Sequence, residues 1–202
     1  MLVERRSLSP DAHLLHFRSE GLFERFRPGQ FTMLRLPTRS DLLLRRPYSF
    51  CDARVDEGSF SLLVKEAGEG TRALAALSIG AEVDCLGPLG STFRMPSAGR
   101  TPVFVAGGVG IAPFVCFSRV LAAEGRRAIV LLGGRTERDL YLREDFEAFG
   151  MEVLPPAPCG PHFHCGRSPL KSMPRGSCST VTSRQSTSSS SARIMGSEVL
   201  TP

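Results

Sequence analysis

The first half of the chain is written in short, half-alternating apolar runs. His13 to Arg18, Gln30 to Leu36, Pro47 to Cys51, Phe60 to Lys65 and Glu82 to Leu86 are separated by Gly, Pro or acidic turn residues, the pattern of an antiparallel sheet or barrel. A helical stretch is expected at Arg72 to Leu77. From Thr101 the pattern changes. Val103 to Ala106 reads as a buried strand, Ala112 to Glu124 as a helix with one apolar stripe and Ala128 to Leu132 as another strand. Glu137 to Phe149 follows as a second helix and Met151 to Leu154 as a third strand. Strands alternating with helices imply right-handed parallel crossovers, with ligand sites at the C-terminal ends of the strands. The expected fold is an N-terminal antiparallel β-barrel over residues 1–96, a hinge at Ser97 to Arg100, and an incomplete α/β parallel-sheet domain over 101–154. A disordered tail over 155–202 completes it.

Chemistry enters at the run Val103-Phe104-Val105-Ala106-Gly107-Gly108-Val109-Gly110-Ile111-Ala112-Pro113. An apolar strand ends in glycines and passes into a helix opened by proline, whose missing N–H costs nothing in a first turn. Glycine lets the backbone approach a pyrophosphate, and the free N–H groups and dipole of the helix start stabilise its charge. The spacing is not G-x-G-x-x-G, because Pro113 stands where the third glycine would be. No acidic residue closes the next strand at Leu131-Leu132-Gly133-Gly134. Taken alone, such a turn serves either nucleotide binding or tight α/β packing.

A second cluster lies upstream, where Arg45-Arg46-Pro47-Tyr48-Ser49-Phe50 precedes the strand ending in Leu63-Val64-Lys65 and then Gly68-Glu69-Gly70-Thr71-Arg72. An arginine pairs with a diphosphate, an aromatic ring covers a flat heterocycle, and Gly70-Thr71 at a helix start offers N–H groups and a hydroxyl. Each residue also has a purely structural use: Arg46 as a solvated edge charge, Tyr48 as a core aromatic, Thr71 as a helix cap. Their order and spacing favour the ligand reading.

With Pro28-Gly29-Gln30-Phe31, Leu86-Gly87-Pro88-Leu89-Gly90 and Leu132-Gly133-Gly134-Arg135-Thr136, these segments resemble the ferredoxin-reductase-like flavoproteins. Within them they resemble the electron-transfer subunits of NAD-linked (class 1B) dihydroorotate dehydrogenase. The resemblance runs from about Met1 to Leu154. It implies an FAD against the barrel and NAD as co-substrate on the α/β domain. By that resemblance Arg46, Pro47, Tyr48 and Ser49 hold the flavin and its diphosphate, Leu63, Val64 and Lys65 line its ribityl and ring region, and Gly70 and Thr71 take the pyrophosphate. Gly107, Gly108, Gly110, Ala112, Pro113, Gly133 and Arg135 fall to the dinucleotide. Hydride would pass between the nicotinamide and the flavin N5, with Ser49 as the catalytic side chain at that edge. An FMN-containing catalytic subunit in pyrimidine synthesis is the implied partner. Arg135 and Arg138 leave NADP open, although the resemblance leans to NAD.

The tail stands apart. Residues 155–202 hold five basic side chains against the single acid Glu198, so most of the net charge of +5 lies there and the folded part is left near neutral. No basic surface for nucleic acid follows. The resembled subunits carry a Cys-Gly-Pro near the nicotinamide and a four-cysteine module for a two-iron two-sulfur cluster. Here Cys159-Gly160-Pro161 comes five residues after Leu154, and Cys159, Cys165 and Cys178 lack the number and spacing of four thiolate ligands. His162 and His164 beside them do not complete a zinc set; no metal site is expected. Cys51, Cys85 and Cys116 sit in apolar runs as structural thiols. No export signal or spanning segment is evident, so a cytoplasmic protein is expected. The alternatives are a flavin reductase serving a ferredoxin, a sulfur-reducing enzyme or a hydrogenase, or an inert flavin-binding fragment.

Because Met151 to Leu154 is a well-formed strand and the following residues abandon both apolar periodicity and acidic side chains, residues from about Pro155 are expected to arise from a shift of reading frame. Resequencing the gene and translating the other frames past the Leu154 codon should restore strand–helix units, a Cys-Gly-Pro and a clustered four-cysteine segment. Two frames without them would make the tail the protein's own.

Overall fold

The computed structural model describes residues 1–19, 25–37, 39 and 41–154. Strands β1 (Leu2–Ser9), β2 (Ala12–Arg18), β3 (Phe31–Arg35), β4 (Arg46–Arg54), β5 (Ser59–Lys65) and β6 (Asp84–Leu89) form one antiparallel sheet in the order β1-β2-β5-β4-β3-β6. At its first edge, the Leu2 N–H donates to the Ala81 carbonyl and the Gly80 N–H donates to the Leu2 carbonyl, both at 2.8 Å. Gly80 and Ala81 lead into β6, so the sheet curls until its edges meet. The five expected strands are present with shifted ends. β1 was not anticipated, because Leu-Val-Glu-Arg-Arg-Ser-Leu-Ser buries little beyond Leu2; it is held by its backbone ladder to β2.

A single short helix, α1 (Glu69–Ala75), follows β5 and begins earlier than its apolar residues announce. The chain then builds a second, parallel sheet of β7 (Val103–Gly107), β8 (Ile129–Gly133) and β9 (Glu152–Leu154) in that order. Between β7 and β8 a 3-10 turn at Gly108–Ile111 feeds helix α2 (Ala112–Ala123), with Pro113 in its first turn. The single helix expected over Glu137 to Phe149 is corrected by the structure. Glu137–Asp139 is a 3-10 turn and only α3 (Arg143–Ala148) is α-helical. The break has two causes. Asp139 folds back to accept hydrogen bonds from the Thr136 N–H and hydroxyl, and Leu142 takes a left-handed backbone, φ 60°, that buries it with Tyr141. The tail, with Cys159, Cys165, Cys178, His162 and His164, lies outside the described residues.

Two cores share one wall. Leu15 and Phe17 of β2 with Phe60, Leu62 and Val64 of β5 fill the barrel, where Phe17 stacks on Phe60 at 5.1 Å between ring centroids. The intervening residues Ala12, Leu14 and Leu63, with Cys51, face outward into a second core with Phe104, Ile111, Val115, Phe117 and Phe146. Period-two alternation thus places apolar side chains on both faces of the same strands. At the barrel end Phe93 stacks on Phe114 of α2 at 5.3 Å, and Phe114 on Phe104 at 4.7 Å. Gly29, φ +98°, is required there, since a Cβ would lie 2.9 Å from the Phe93 nitrogen. In the parallel sheet Phe104, Val130 and Leu132 are buried with the helices, while Val105 and Leu131 on the opposite face are 61% and 36% exposed.

His16 on β2 stands opposite Glu4. Burial pushes its imidazole below the ordinary value of 6.5, against the pull of Glu4. The unfolded chain therefore binds this proton more readily than the folded one. Its contribution to stability is complete above about pH 6.5 and is lost as pH falls toward the lower folded value. Urea unfolding between about pH 7.5 and about pH 5.5 should show stability declining, with a shallower decline for His16→Gln. Equal slopes would rule His16 out as a source of the pH dependence.

Candidate functional site

Strands β4 and β5 pair from Arg54 opposite Ser59 as far as Phe50 opposite Leu62. There their ladder ends. Arg46 to Ser49 continue against β3 alone, and Leu63 to Lys65 continue against β2 alone. The parted stretch places the expected flavin residues on two facing backbone edges. Along it Arg46 and Tyr48 are half-buried, while Pro47 and Ser49 on the other face are exposed. Tyr48 packs against the barrel core, and burial raises its phenol, opposed by the charge of Arg46. Leu63 and Val64 are 6% and 1% exposed with side chains committed to the two cores, so what they present to a ligand is backbone.

The start of α1 closes one end of this stretch. A Cβ on Gly70 would sit 2.6 Å from Arg46 Cζ; only the bare glycine lets the guanidinium lie against the helix start. Arg46 Nη1 also donates to the Leu44 carbonyl at 3.0 Å. The Thr71 hydroxyl accepts from the Ala67 and Gly68 N–H groups and donates to the Gly68 carbonyl, all within 3.0 Å. It holds the loop in shape from inside the first turn; the N-cap of α1 is Gly68, which corrects the reading of Thr71 as the cap. An anion here would meet the first-turn N–H groups of α1, which have no intrahelical acceptor, and the Arg46 charge.

At the strand ends of the parallel sheet Gly107 and Gly133 lie side by side in register. Nothing lies within 4 Å of a Cβ built on Gly108 or Gly110, and Gly108 has φ +55°, so the turn into α2 is open for close backbone approach. Ala112 is buried and Pro113 half-buried behind it, while Arg135 is exposed. The turn also packs toward the parted strands, since its Ile111 shares a core with Leu63. The dinucleotide-side turn therefore sits against strand β5.

Sequence reading missed the groups that join the two sheets. Arg119 of α2 donates from Nε and Nη2 to Asp52 Oδ1 at 3.0 and 2.8 Å, and to the Ala53 carbonyl at 3.0 Å. Lys65 Nζ lies 2.7 Å from Asp139 Oδ1, which lowers the Asp139 carboxyl well below the usual range and raises the lysine. These partners are 67 and 74 residues apart; no local spacing announces them. Among the described residues no cluster of His, Cys, Asp and Glu could hold a metal ion. Burial pushes the Cys85 and Cys116 thiols up to about 11, and Cys51 higher still.

Comparison with known proteins follows this division. Residues 1–93 match the oxidoreductase FAD-binding domain and residues 104–153 the oxidoreductase NAD-binding domain. The structure resembles that of an NADH-dependent reduced ferredoxin-NADP oxidoreductase at TM-score 0.67 and 28% identity, over 76% of this chain and 54% of that one. It also resembles the ferredoxin reductase in carbazole 1,9a-dioxygenase, at TM-score 0.66 and 25% identity over 75% and 47%. The chain belongs to the ferredoxin-reductase-like FAD/NAD flavoproteins. Within them its sequence is similar to the electron transfer subunit of dihydroorotate dehydrogenase B (NAD(+)). The Enterococcus faecalis subunit is 35% identical over 74% of this chain and 57% of its own, and that of Shouchella clausii 32% over 74% and 58%. The chain thus spans less than two thirds of the length of these relatives. Among the described residues no helix is long and apolar enough to cross a membrane.

If the Arg46–Gly70 contact forms the diphosphate end of the site, Gly70→Ala should move only a flexible guanidinium and leave the melting temperature nearly unchanged, yet lower flavin content. Arg46→Glu should weaken FAD binding on the order of 100-fold by setting like charge beside the diphosphate. Equal bound-flavin absorbance in the wild type and Arg46→Glu would refute the assignment.

Proposed function

We propose that the chain is the flavin-bearing electron-transfer part of an NAD-linked dihydroorotate dehydrogenase, moving electrons between NAD and a catalytic subunit that carries FMN, in cytoplasmic pyrimidine biosynthesis. The observation that carries this reading is the parting of β4 from β5 beside the Arg46–Gly70 contact, with the Gly107–Ile111 turn packed toward the same strands. The parted edges fit a flat heterocycle and the glycine-lined ends fit two pyrophosphates. Residues 1–96 and 101–154 are the two working domains of this reading, and the relatives' name as subunits supports the partner.

Bound FAD would supply the exchange between two-electron hydride chemistry and one-electron transfer. The chain supplies placement. Arg46 and the α1 start neutralise the flavin diphosphate, with Gly70 and Thr71 as the approach. Tyr48 covers the ring system, while Pro47 and the backbone of Leu63, Val64 and Lys65 flank it. Ser49, exposed beside the parted edge, offers its hydroxyl to the reacting edge of the ring. Gly107, Gly108 and Gly110 admit the dinucleotide to the N-terminus of α2, backed by Ala112 and Pro113, and Gly133 and Arg135 take its adenosine side. A second reading, a reductase for a ferredoxin, draws support from the structural neighbour named for reduced ferredoxin.

Spectra separate these readings. The purified chain should be yellow and bleach with NADH. Reoxidation by an FMN-bearing dihydroorotate dehydrogenase subunit in preference to ferredoxin would support the proposed partner. Bleaching by dithionite alone would reduce the chain to a flavin binder, and a colourless protein would overturn the reading.

A further inference from the structure

The two carboxylate oxygens of Asp139 bond to different segments of the chain. Its Oδ1 accepts hydrogen bonds from Lys65 Nζ at 2.7 Å and from the Tyr141 hydroxyl at 3.1 Å, and Lys65 also donates to that hydroxyl at 3.0 Å. Lys65 ends β5, and Asp11 of the β1–β2 turn adds a second carboxylate 3.4 Å from its ammonium. The Oδ2 of Asp139 accepts instead from the Thr136 N–H and hydroxyl, both at 3.1 Å. These bonds close the turn that leaves β8 through Gly133, Gly134 and Arg135. The turn is tight: a Cβ on Gly134 would meet the Thr136 carbonyl at 2.9 Å and Asp139 Cβ at 3.0 Å. The side chains of Asp139 and Lys65 are 13% and 22% exposed, so the cluster is partly sheltered from solvent screening.

We infer that Asp139 is a positioning residue that couples the end of the flavin strand β5 to the dinucleotide-side turn Gly133–Thr136. The inference rests on the functional reading above for what each side binds. Adhesion between the sheets does not require this cluster, because the shared apolar core and the Arg119–Asp52 contact already supply it; the core meets the turn through Leu140, whose Cδ2 would lie 3.2 Å from a Cβ on Gly134, and such apolar contact sets no direction. Among the described residues the Lys65–Asp139 pair is the polar link from β5 to the turn, through one rigid planar group. Any shift of β5 on cofactor binding therefore moves the carboxylate that holds the Thr136 N–H. Conversely, a turn ordered by nucleotide fixes Lys65. Coupling of this kind is reciprocal.

Hydrogen exchange of the full-length chain, with and without FAD, reads this directly. In the wild type FAD should slow exchange at Gly134 to Thr136. Asp139→Asn, which keeps the shape but turns an amide toward Lys65, should remove that response while retaining FAD. Tyr141→Phe should weaken the response in part. Anaerobic flavin reduction should then show NADH affinity lowered on the order of ten-fold with the limiting rate at saturation little changed, and Asp139→Glu should recover part of the loss. The inference is overturned if Asp139→Asn keeps both the FAD response and wild-type NADH affinity, or if it loses FAD and thermal stability in parallel, as a mere brace would. A wild type that binds FAD without any response in the turn overturns the coupling alone. A wild type that binds no FAD overturns the functional reading and this one together.

Discussion

Along Ala12 to Leu15 of β2 and Leu62 to Val64 of β5, the barrel wall carries apolar side chains on both faces. Leu15, Phe17, Leu62 and Val64 point into the barrel, while Ala12, Leu14 and Leu63 point into the core beneath α2 and the parallel sheet. Each fully buried leucine, valine or phenylalanine there is worth about 1.5–3 kcal/mol relative to exposure. The partly exposed Arg119–Asp52 ion pair at the same junction is worth roughly 0–1 kcal/mol; Lys65–Asp139 is a second such pair. Apolar burial therefore holds the two sheets together. The ion pairs fix angle and register, which burial, being non-directional, leaves undetermined.

That division of labour shapes the site. A wall buried on both sides leaves no exposed sheet face there on which to lay a ligand, so the opening must come along a strand edge. It does so where β4 leaves β5 after Phe50. The side chains of Leu63 and Val64 are committed to packing, which leaves their backbone for recognition. In the proposed site the polar side chains come from β4, while the glycine-bearing start of α1 and the turn after β7 offer backbone.

Most of this architecture is written locally. The alternating strands, the α2 stripe and the glycine turns were legible because period and backbone freedom are properties of a few neighbouring residues. Arg46 and Gly70 were legible as members of two motifs, but their direct contact was not, since it forms only when α1 folds back beside β4. β1 was not, because a strand buried almost solely through Leu2 carries no apolar alternation. The broken second helix was not, because the apolar spacing continues through Tyr141 and Leu142 while the backbone turns left-handed at Leu142. Thr71 had two readings in sequence, N-cap and ligand group; the N-cap is Gly68, and the Thr71 hydroxyl bonds the loop from inside the first turn. The ion pairs between the sheets were invisible, since their partners meet only after the sheets have packed.

The cysteines described here have a bearing on how such a protein ages. Reduced flavins give peroxide when they meet oxygen, and thiolate is the form of cysteine that peroxide attacks. With thiols pushed up to about 11, Cys85 and Cys116 hold about one part in ten thousand as thiolate at neutral pH, and Cys51 holds less. Thioethers have no such protection. Met151 is 5% exposed, whereas Met1 and Met95 are 49% and 39% exposed. Among the described residues, oxidative wear would therefore be recorded first as sulfoxide at Met1 and Met95, on the surface, before it reached sulfur in either core.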